Sequence, residues 1–198
     1  METKYETFDE IGIDEAGRGP LIGRVYAGAV IWSEDLKECP LIKDSKKLSA
    51  KKRKLALEWI KSNVKYWAVG YAEHDEIDKV NILNATTLAM KRAVKNLNLD
   101  TTHYDLIIDG TNWCNKFPEY SVHSIINGDN KYYSIACASI IAKEYHDEYI
   151  KELCEKNPDL DTKYGLSKNM GYGTKVHLEG IKKHGISQYH RKTFKSCK

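Results

Sequence analysis

The sequence lacks any cysteine pattern that would indicate disulfides or a cysteine-ligated zinc site. Its five cysteines, at positions 39, 114, 137, 154 and 197, are odd in number and form no C-x-x-C pair. Neither a disulfide framework nor a thiolate metal site is therefore predicted. We expect reduced thiols, which are typical of a cytoplasmic protein.

Long apolar runs are also missing. No segment approaches the ~18 consecutive apolar residues that span a bilayer. The amino terminus, "METKYETFDE", has no basic region followed by an apolar one. Repeats of solenoid length and low-complexity linkers are absent from the sequence as well. These absences predict a cytoplasmic protein with no membrane association, and we expect a monomer.

The bulk composition is ordinary for one soluble domain: 198 residues, 41% hydrophobic and 30% charged. The net charge of +3 does not by itself require an anionic partner. Basic residues are nevertheless concentrated in "KDSKKLSAKKRK" (43–54) and in residues 175–195. Such stretches are typical of a solvated surface, but they could also flank an acidic centre.

Apolar periodicity predicts an α/β domain with a mixed sheet. Strands are predicted in "FDEIGID", "GRVYAGAVIW", "VKYWAVGYAE", "YDLIIDG" and "YSVHSIINGD". Helices are predicted in "SAKKRKLALEWIKSN" with Leu55, Trp59 and Ile60 at helical spacing, in "NILNATTLAMKRAVKNLN" with Leu83, Thr87, Met90 and Val94 on one face, in "YYSIACASIIAKEYHDEYIKELCEK", and in "TKVHLEGIKKHG". We expect residues 1–157 to form the main domain and residues 158–198 a helical segment packed on it.

Four acids follow the apolar runs at or just beyond predicted strand ends: Asp14, Glu15, Asp109 and Asp129. Strand ends are where ligand sites gather in open α/β sheets. Clustered carboxylates repel one another, and a bound cation would relieve that repulsion. Oxygen donors without nearby histidine or cysteine favour Mg²⁺ or Mn²⁺, and two such ions suit phosphodiester hydrolysis. The alternative is that these acids serve turns, since "DEAG", "DG" and "GDN" are good turn sequences.

The turn "GRG", Gly17 to Gly19, complements these acids. Its glycines would let backbone amides approach a phosphate or a sugar closely, and Arg18 offers a planar cation with several donors. Three residues alone are a weak signal.

Five motifs together resemble, in order, those of type 2 ribonuclease H, specifically the ribonuclease HII family. They are "GIDEAGRGPLIG", "DSKKLS", "IIDG", "GDNKYYSIACASIIAKEYHD" and "GYGTKVHLEGIKKHGISQYHRKTF", and the resemblance runs from about Ile11 to Phe194. It implies a ribonuclease H-like fold with a mixed five-stranded sheet. It also implies cleavage of the RNA strand in RNA/DNA hybrids, and incision 5′ of single ribonucleotides in duplex DNA by two divalent ions, giving a 3′-hydroxyl and a 5′-phosphate.

The resemblance assigns roles to individual residues. Asp14, Glu15, Asp109 and Asp129 match the family's metal-binding catalytic acids. Gly17, Arg18 and Gly19 match the turn that grips the ribonucleotide. Tyr172 in "GYGT" matches a tyrosine that packs against the sugar, and Lys46 matches a basic residue near the substrate backbone.

Two positions depart from the family pattern. His146-Asp147 stands where the family usually has Arg-Asp, and Arg24 where it usually has proline. Asp147 is expected to be either an auxiliary acid near the site or an acid on the helix surface. His177, His184 and His190 are expected to help pack the chain or bind phosphate, because a zinc site there lacks a fourth ligand.

The sequence favours a nuclease over two other functions, an actin-like ATP-binding protein and a catalytically idle nucleic-acid-binding module. "GIDEAG" and "IIDGTN" faintly resemble the phosphate-binding turns of actin-like ATP-binding proteins, but those proteins need two duplicated lobes, for which 198 residues are too few. A catalytically idle nucleic-acid-binding module would not need all four acids. The related type 3 enzymes carry an extra amino-terminal domain, for which the residues before Ile11 leave no room.

Overall fold

A computed structural model of the chain describes residues 1–6, 9–33, 35–36, 39–42, 45 and 48–198. Lys46, the basic residue expected near the substrate, lies outside the described residues, as do two other residues of the motif "DSKKLS". Its role stays a prediction.

Five strands form one mixed sheet, as the apolar runs predicted. They are β1 (Glu10–Ala16), β2 (Val25–Ile31), β3 (Tyr66–Ala72), β4 (Asp105–Asp109) and β5 (Val122–Ile125). Their order in the sheet is β3-β2-β1-β4-β5. Strand β2 pairs antiparallel with both β1 and β3, whereas β4 pairs parallel with both β1 and β5. The carboxyl ends of β1, β4 and β5 therefore lie at the same edge of the sheet.

The described residues also form six α-helices. They are α1 (Ala50–Asn63), α2 (His74–Asn96), α3 (Tyr133–Lys156), α4 (Pro158–Tyr164), α5 (Leu166–Asn169) and α6 (Lys175–His184). The ends of α3 at Asn157 and of α6 at Gly185 confirm the predicted stops. Helix α2 begins seven residues before the predicted start at Asn81, which has a φ of 68° and marks a kink. The short helices α4 and α5 were not predicted.

Helices α2 and α3 cover opposite faces of the sheet, each with its own apolar core. The small residues of α3 permit close packing, as predicted: Ala136, Ala138 and Ala142 are fully buried. The strands that face α3 carry glycines at the points of closest approach, Gly12 in β1 and Gly28 in β2. A Cβ atom at Gly12 would lie 2.5 Å from Ser134, which real contacts do not allow. Helix α3 is thereby held against β1 and fixes that strand's position.

Two of the leucines at helical spacing lie outside the core. Leu55 is 51% exposed and Leu83 is 40% exposed. Helix α1 instead buries a face that includes Arg53 and Leu57. An amphipathic helix offers several faces at similar spacing, and tertiary packing selects among them.

The carboxyl-terminal segment returns to the loop that follows β1. The N–H of Gly23 donates to the carbonyl of Tyr189 at 3.0 Å, and the N–H of Arg191 donates to the carbonyl of Leu21 at 2.8 Å. An isolated antiparallel bridge joins Ile22 to His190 between them. Residues 189–191 thus hold residues 21–23 in place. The predicted domain boundary at residue 157 stays a prediction. Within the described ranges, no helix combines the length and apolarity needed to cross a bilayer.

Candidate active site

Three of the four predicted acids line one cleft at the sheet edge. Asp14 and Glu15 lie near the end of β1, and Asp109 is the last residue of β4. The two strands are parallel, with Ile13 paired to Ile108. Asp14 and Asp109, the next residue on each strand, therefore lie side by side. The cleft has a volume of about 250 Å³, and the turn Gly17–Gly19 and Tyr172 line it as well.

Asp14 is the most perturbed of these acids. Its side chain is buried, and its Oδ1 accepts the N–H of Glu15 at 2.7 Å. Burial, followed by the negative charges of Glu15 and Asp109, raises the pKa of Asp14 well above its ordinary value. A hydrogen bond from Ser139 opposes this shift without cancelling it. A cation in the cleft would remove the cause of the repulsion.

Asp109 is held through both its side chain and its backbone. Its Oδ1 accepts the N–H of Gly128 at 2.7 Å, and its backbone carbonyl accepts the indole N–H of Trp113 at 2.7 Å. Asp129 follows Gly128 in a 3₁₀ turn beyond β5 and is buried, although it does not line the cleft with the other three acids. The structure therefore brings Asp129 next to the residue that anchors Asp109, and its metal role stays a prediction.

The turn from Gly17 to Gly19 leaves β1 directly beside the acids. Gly17 has a φ of +88°, and a Cβ atom there would meet the ring of His146 at 2.5 Å. Conformation and space both require glycine at this position. Arg18 donates from Nη1 to Glu15 Oε1 at 3.0 Å, while its guanidinium lies 5.9 Å from the centre of the Trp113 ring. The cleft therefore carries a cation on its acidic rim.

Tyr172 lies against this turn, and its predicted contact with a sugar stays a prediction. A Cβ atom on Gly19 would be 3.2 Å from the Tyr172 ring, so the ring packs on the bare glycine backbone. The side chain is 41% exposed, and the Lys143 ammonium lies 5.8 Å from the ring centre. An exposed aromatic face beside an open backbone turn is a surface on which a sugar could pack.

Arg191 supports the turn, and sequence reasoning assigned it no role. Its fully buried guanidinium donates to five backbone carbonyls, at distances of 2.7 to 3.1 Å. These carbonyls belong to Gly17, Arg18, Pro20, Gly23 and Arg24. Burial lowers the pKa of Arg191 to about 10, so it keeps its charge at neutral pH. The signal was an arginine inside the motif "YHRKTF", yet nothing in the sequence shows where it points.

Asp147 is buried, which excludes the helix-surface alternative. It accepts from Lys143 at 2.6 Å, from Arg53 at 3.1 Å, and lies 3.1 Å from His146 Nδ1. Burial raises the pKa of Asp147, but the hydrogen bonds from His146 and Lys143 lower it by more. The pKa of Asp147 is therefore below its ordinary value. Asp147 therefore orients Lys143, which lines the cleft.

The acids fit hard divalent cations by donor type, because all of their donors are carboxylate oxygens. Among the described residues, however, no three histidine, cysteine, aspartate or glutamate side chains are close enough together to hold a metal ion as they stand. Binding would have to draw the carboxylates closer, which their mutual repulsion opposes until a cation is present.

A mixed five-stranded sheet in this order, covered by helices on both faces, is a ribonuclease H-like fold. The family model of Ribonuclease HII matches residues 11–197. Ribonuclease HII of Rickettsia akari is 50% identical over 197 residues, covering 100% of this chain and 96% of its own length. The chain belongs to the ribonuclease HII family.

Solved structures agree on the fold. The ribonuclease H2 of Pyrococcus horikoshii superposes with a TM-score of 0.74 at 23% identity, covering 96% of this chain and 95% of its own. Bst-RNase HIII in complex with Mn²⁺ gives a TM-score of 0.72 at 20% identity, covering 96% and 68%. As a member of its family, the chain is a type 2 ribonuclease H, a nuclease that cleaves RNA in RNA/DNA hybrids.

Proposed function

We propose that this ribonuclease H also incises duplex DNA on the 5′ side of a single embedded ribonucleotide, leaving a 3′-hydroxyl and a 5′-phosphate. One observation carries the proposal. The turn Gly17–Gly19 and the exposed face of Tyr172 line the same cleft as Asp14, Glu15 and Asp109. A site for sensing one sugar thus adjoins a site for phosphodiester hydrolysis.

Recognition of a single ribonucleotide depends on very few atoms. A lone ribonucleotide differs from its neighbours by one 2′-hydroxyl, so discrimination needs groups that reach that hydroxyl directly. Arg18 and Gly19 are exposed, and the missing side chain of Gly19 leaves its backbone open, whereas Gly17 is buried. With the Tyr172 ring packed on Gly19, a sugar seated on the tyrosine lies within reach of this backbone.

We further propose that Asp14, Glu15, Asp109 and Asp129 hold Mg²⁺ or Mn²⁺. The raised pKa of Asp14 and the oxygen-only donor set support this assignment, and Bst-RNase HIII, which shares the fold, was solved with Mn²⁺. A pair of such ions, when bound, supplies an activated water and stabilises the departing 3′-oxygen.

The chain's own cations then orient the substrate. Arg18 and Lys143 both line the cleft, and each is held by an acid, Glu15 and Asp147 respectively. Phosphates of the nucleic acid would lie against these cations, which makes affinity fall as salt rises. All the assigned residues come from one chain, so we propose that a monomer suffices.

The test uses three duplexes: all-DNA, DNA with one ribonucleotide, and an RNA/DNA hybrid. With Mg²⁺ or Mn²⁺, we expect a nick 5′ of the ribonucleotide, cleavage of the hybrid, and no cut in all-DNA. Chelation with EDTA should abolish both activities. Cleavage of the hybrid without incision at the single ribonucleotide would overturn the proposal.

Tyr172→Ala isolates the sugar contact. We expect incision at the single ribonucleotide to fall by about tenfold, the worth of one stacked aromatic contact, with a smaller effect on the hybrid. Tyr172→Phe keeps the ring and serves as the matched control. Equal loss on both substrates in Tyr172→Ala would contradict the assigned role.

A further inference from the structure

Two buried histidines contact each other beneath Tyr172. His177 lies in α6 and His190 in the carboxyl-terminal segment, and both are fully buried. Their Nε2 atoms are 3.0 Å apart. Among the described residues, no metal-ligating group of three or more includes them, so one proton must bridge the two nitrogens.

The outer nitrogens fix the direction of this bridge. The N–H of Ser187 donates to His190 Nδ1 at 2.9 Å, so that nitrogen accepts. His177 Nδ1 lies 3.0 Å from the carbonyl oxygen of Tyr172, which can only accept, so this nitrogen carries a proton. In the neutral pair, His190 therefore donates from Nε2 to His177 Nε2. The result is a directed chain from Ser187 through His190 and His177 to Tyr172.

Both rings are neutral at neutral pH. Burial, followed by the neighbouring His177, lowers the pKa of His190 to about 4. Burial lowers the pKa of His177 as well. A second proton on the pair would place two N–H groups face to face, so the neutral chain is the stable form.

The end of the chain is the backbone of Tyr172, in a turn with little other regular structure. Met170 and Gly171 both have positive φ, at 49° and 83°. The Tyr172 carbonyl accepts from the Thr174 N–H at 2.8 Å and from His177. Because the Tyr172 side chain is partly exposed, its position over Gly19 depends on how firmly this backbone is held.

We propose that His177 and His190 are positioning residues for ribonucleotide recognition, which act by fixing the Tyr172 backbone and thereby the seat of its ring on the Gly17–Gly19 turn. This inference rests on the proposed role of Tyr172. It explains why two imidazoles, rather than two apolar side chains, fill this part of the core. An apolar pair would fill the space but leave the Tyr172 carbonyl with one donor fewer.

The variants His177→Leu and His177→Asn separate packing from positioning. Leucine keeps similar volume without a donor, whereas asparagine keeps an N–H donor near the Nδ1 position and loses the contact with His190. We expect His177→Leu to lower kcat/KM for the single-ribonucleotide duplex by about tenfold, the worth of one buried hydrogen bond, and to change hybrid cleavage by less than about twofold. His177→Asn should restore most of the lost selectivity. Should His177→Leu fail to fold, His190→Met, which lacks the Nε2 donor, replaces it.

A double variant tests the route. If His177 acts through Tyr172, adding His177→Leu to Tyr172→Ala causes no further loss on the single-ribonucleotide duplex. Additive losses, or equal losses on both substrates, would overturn the positioning role. A Tyr172→Ala variant without selective loss would instead contradict the role of Tyr172, and a wild type that does not incise at the single ribonucleotide would overturn the proposed function, so these failures are distinguishable.

Discussion

The acidic side and the recognition side of the cleft are built by different means. Asp14, Glu15 and Asp109 lie at the ends of two paired strands, so the register of the sheet places them. The turn Gly17–Gly19 and Tyr172 lie in irregular segments, which are held by the buried side chains of Arg191 and His177 respectively. Strand pairing alone can gather acids, whereas a sugar-sensing loop needs dedicated buried donors.

The largest effect is expected on the acidic side. Asp14→Asn should lower cleavage of both substrates by roughly 10³-fold, because it removes charge where the reaction needs it. The same change should stabilise the metal-free protein by about 1–2 kcal/mol, since active-site charge crowding costs stability. Steady-state cleavage and thermal unfolding in EDTA measure the two effects.

The exposed acid in Glu179→Gln is the matched control, and it should change neither quantity. Mg²⁺ should raise the melting temperature of the wild type more than that of Asp14→Asn, because only the wild type keeps the full ligand set. An Asp14→Asn protein less stable than the wild type would contradict the repulsion that we assign to this cluster.

On the recognition side, the largest expected effect is on folding. Arg191→Lys replaces a planar donor of five hydrogen bonds with an ammonium that has three protons. Carbonyls of the turn would then be buried without donors, and we expect a loss of about 3 kcal/mol in the free energy of unfolding. Urea denaturation measures it, and the folded fraction should lose selectivity for the single ribonucleotide.

Arg92→Lys provides the control, because Arg92 forms a partly exposed ion pair with Glu76. Its cost should stay below about 1 kcal/mol. Equal costs for the two substitutions would show that the five carbonyls do not depend on Arg191.

The same division explains what the sequence could predict. Alternating and apolar runs predicted all five strands, and acids at strand ends predicted the site edge, because the apolar pattern of a strand is local in the sequence. Leu55 and Leu83 fit the helical spacing but are exposed, since helical spacing alone does not select the buried face. Arg191 and His177 contact backbone carbonyls, and a carbonyl has no residue type for a sequence pattern to show.

The pH dependence of stability should reflect the histidine pair. The pKa of His190 is about 4 in the folded protein, below its ordinary value of 6.5, so the unfolded chain binds its proton first as pH falls. The contribution of His190 is complete above pH 6.5 and is lost as pH falls towards 4. Between pH 6.5 and 5 this loss amounts to about 2 kcal/mol.

Urea titrations at pH 7 and pH 5 measure this loss. His190→Gln, which keeps an N–H donor near the Nε2 position, should show a flatter dependence than the wild type. An unchanged pH dependence in His190→Gln would assign the loss to other groups, such as the buried His146, whose pKa is also lowered by burial.

The smallest effect concerns Arg24, which stands where the family usually has proline. Its guanidinium lies 4.2 Å from the centre of the Tyr71 ring and 4.5 Å from that of Tyr149, and it pairs with Glu73. Arg24→Met should lower the free energy of unfolding by about 0.5–1 kcal/mol, the worth of a partly exposed cation–π contact. Only the backbone carbonyl of Arg24 reaches Arg191, and methionine keeps it. The ratio of single-ribonucleotide to hybrid cleavage should therefore stay at the wild-type value, and a changed ratio would mean that the Arg24 side chain, and not Arg191 alone, holds the recognition turn.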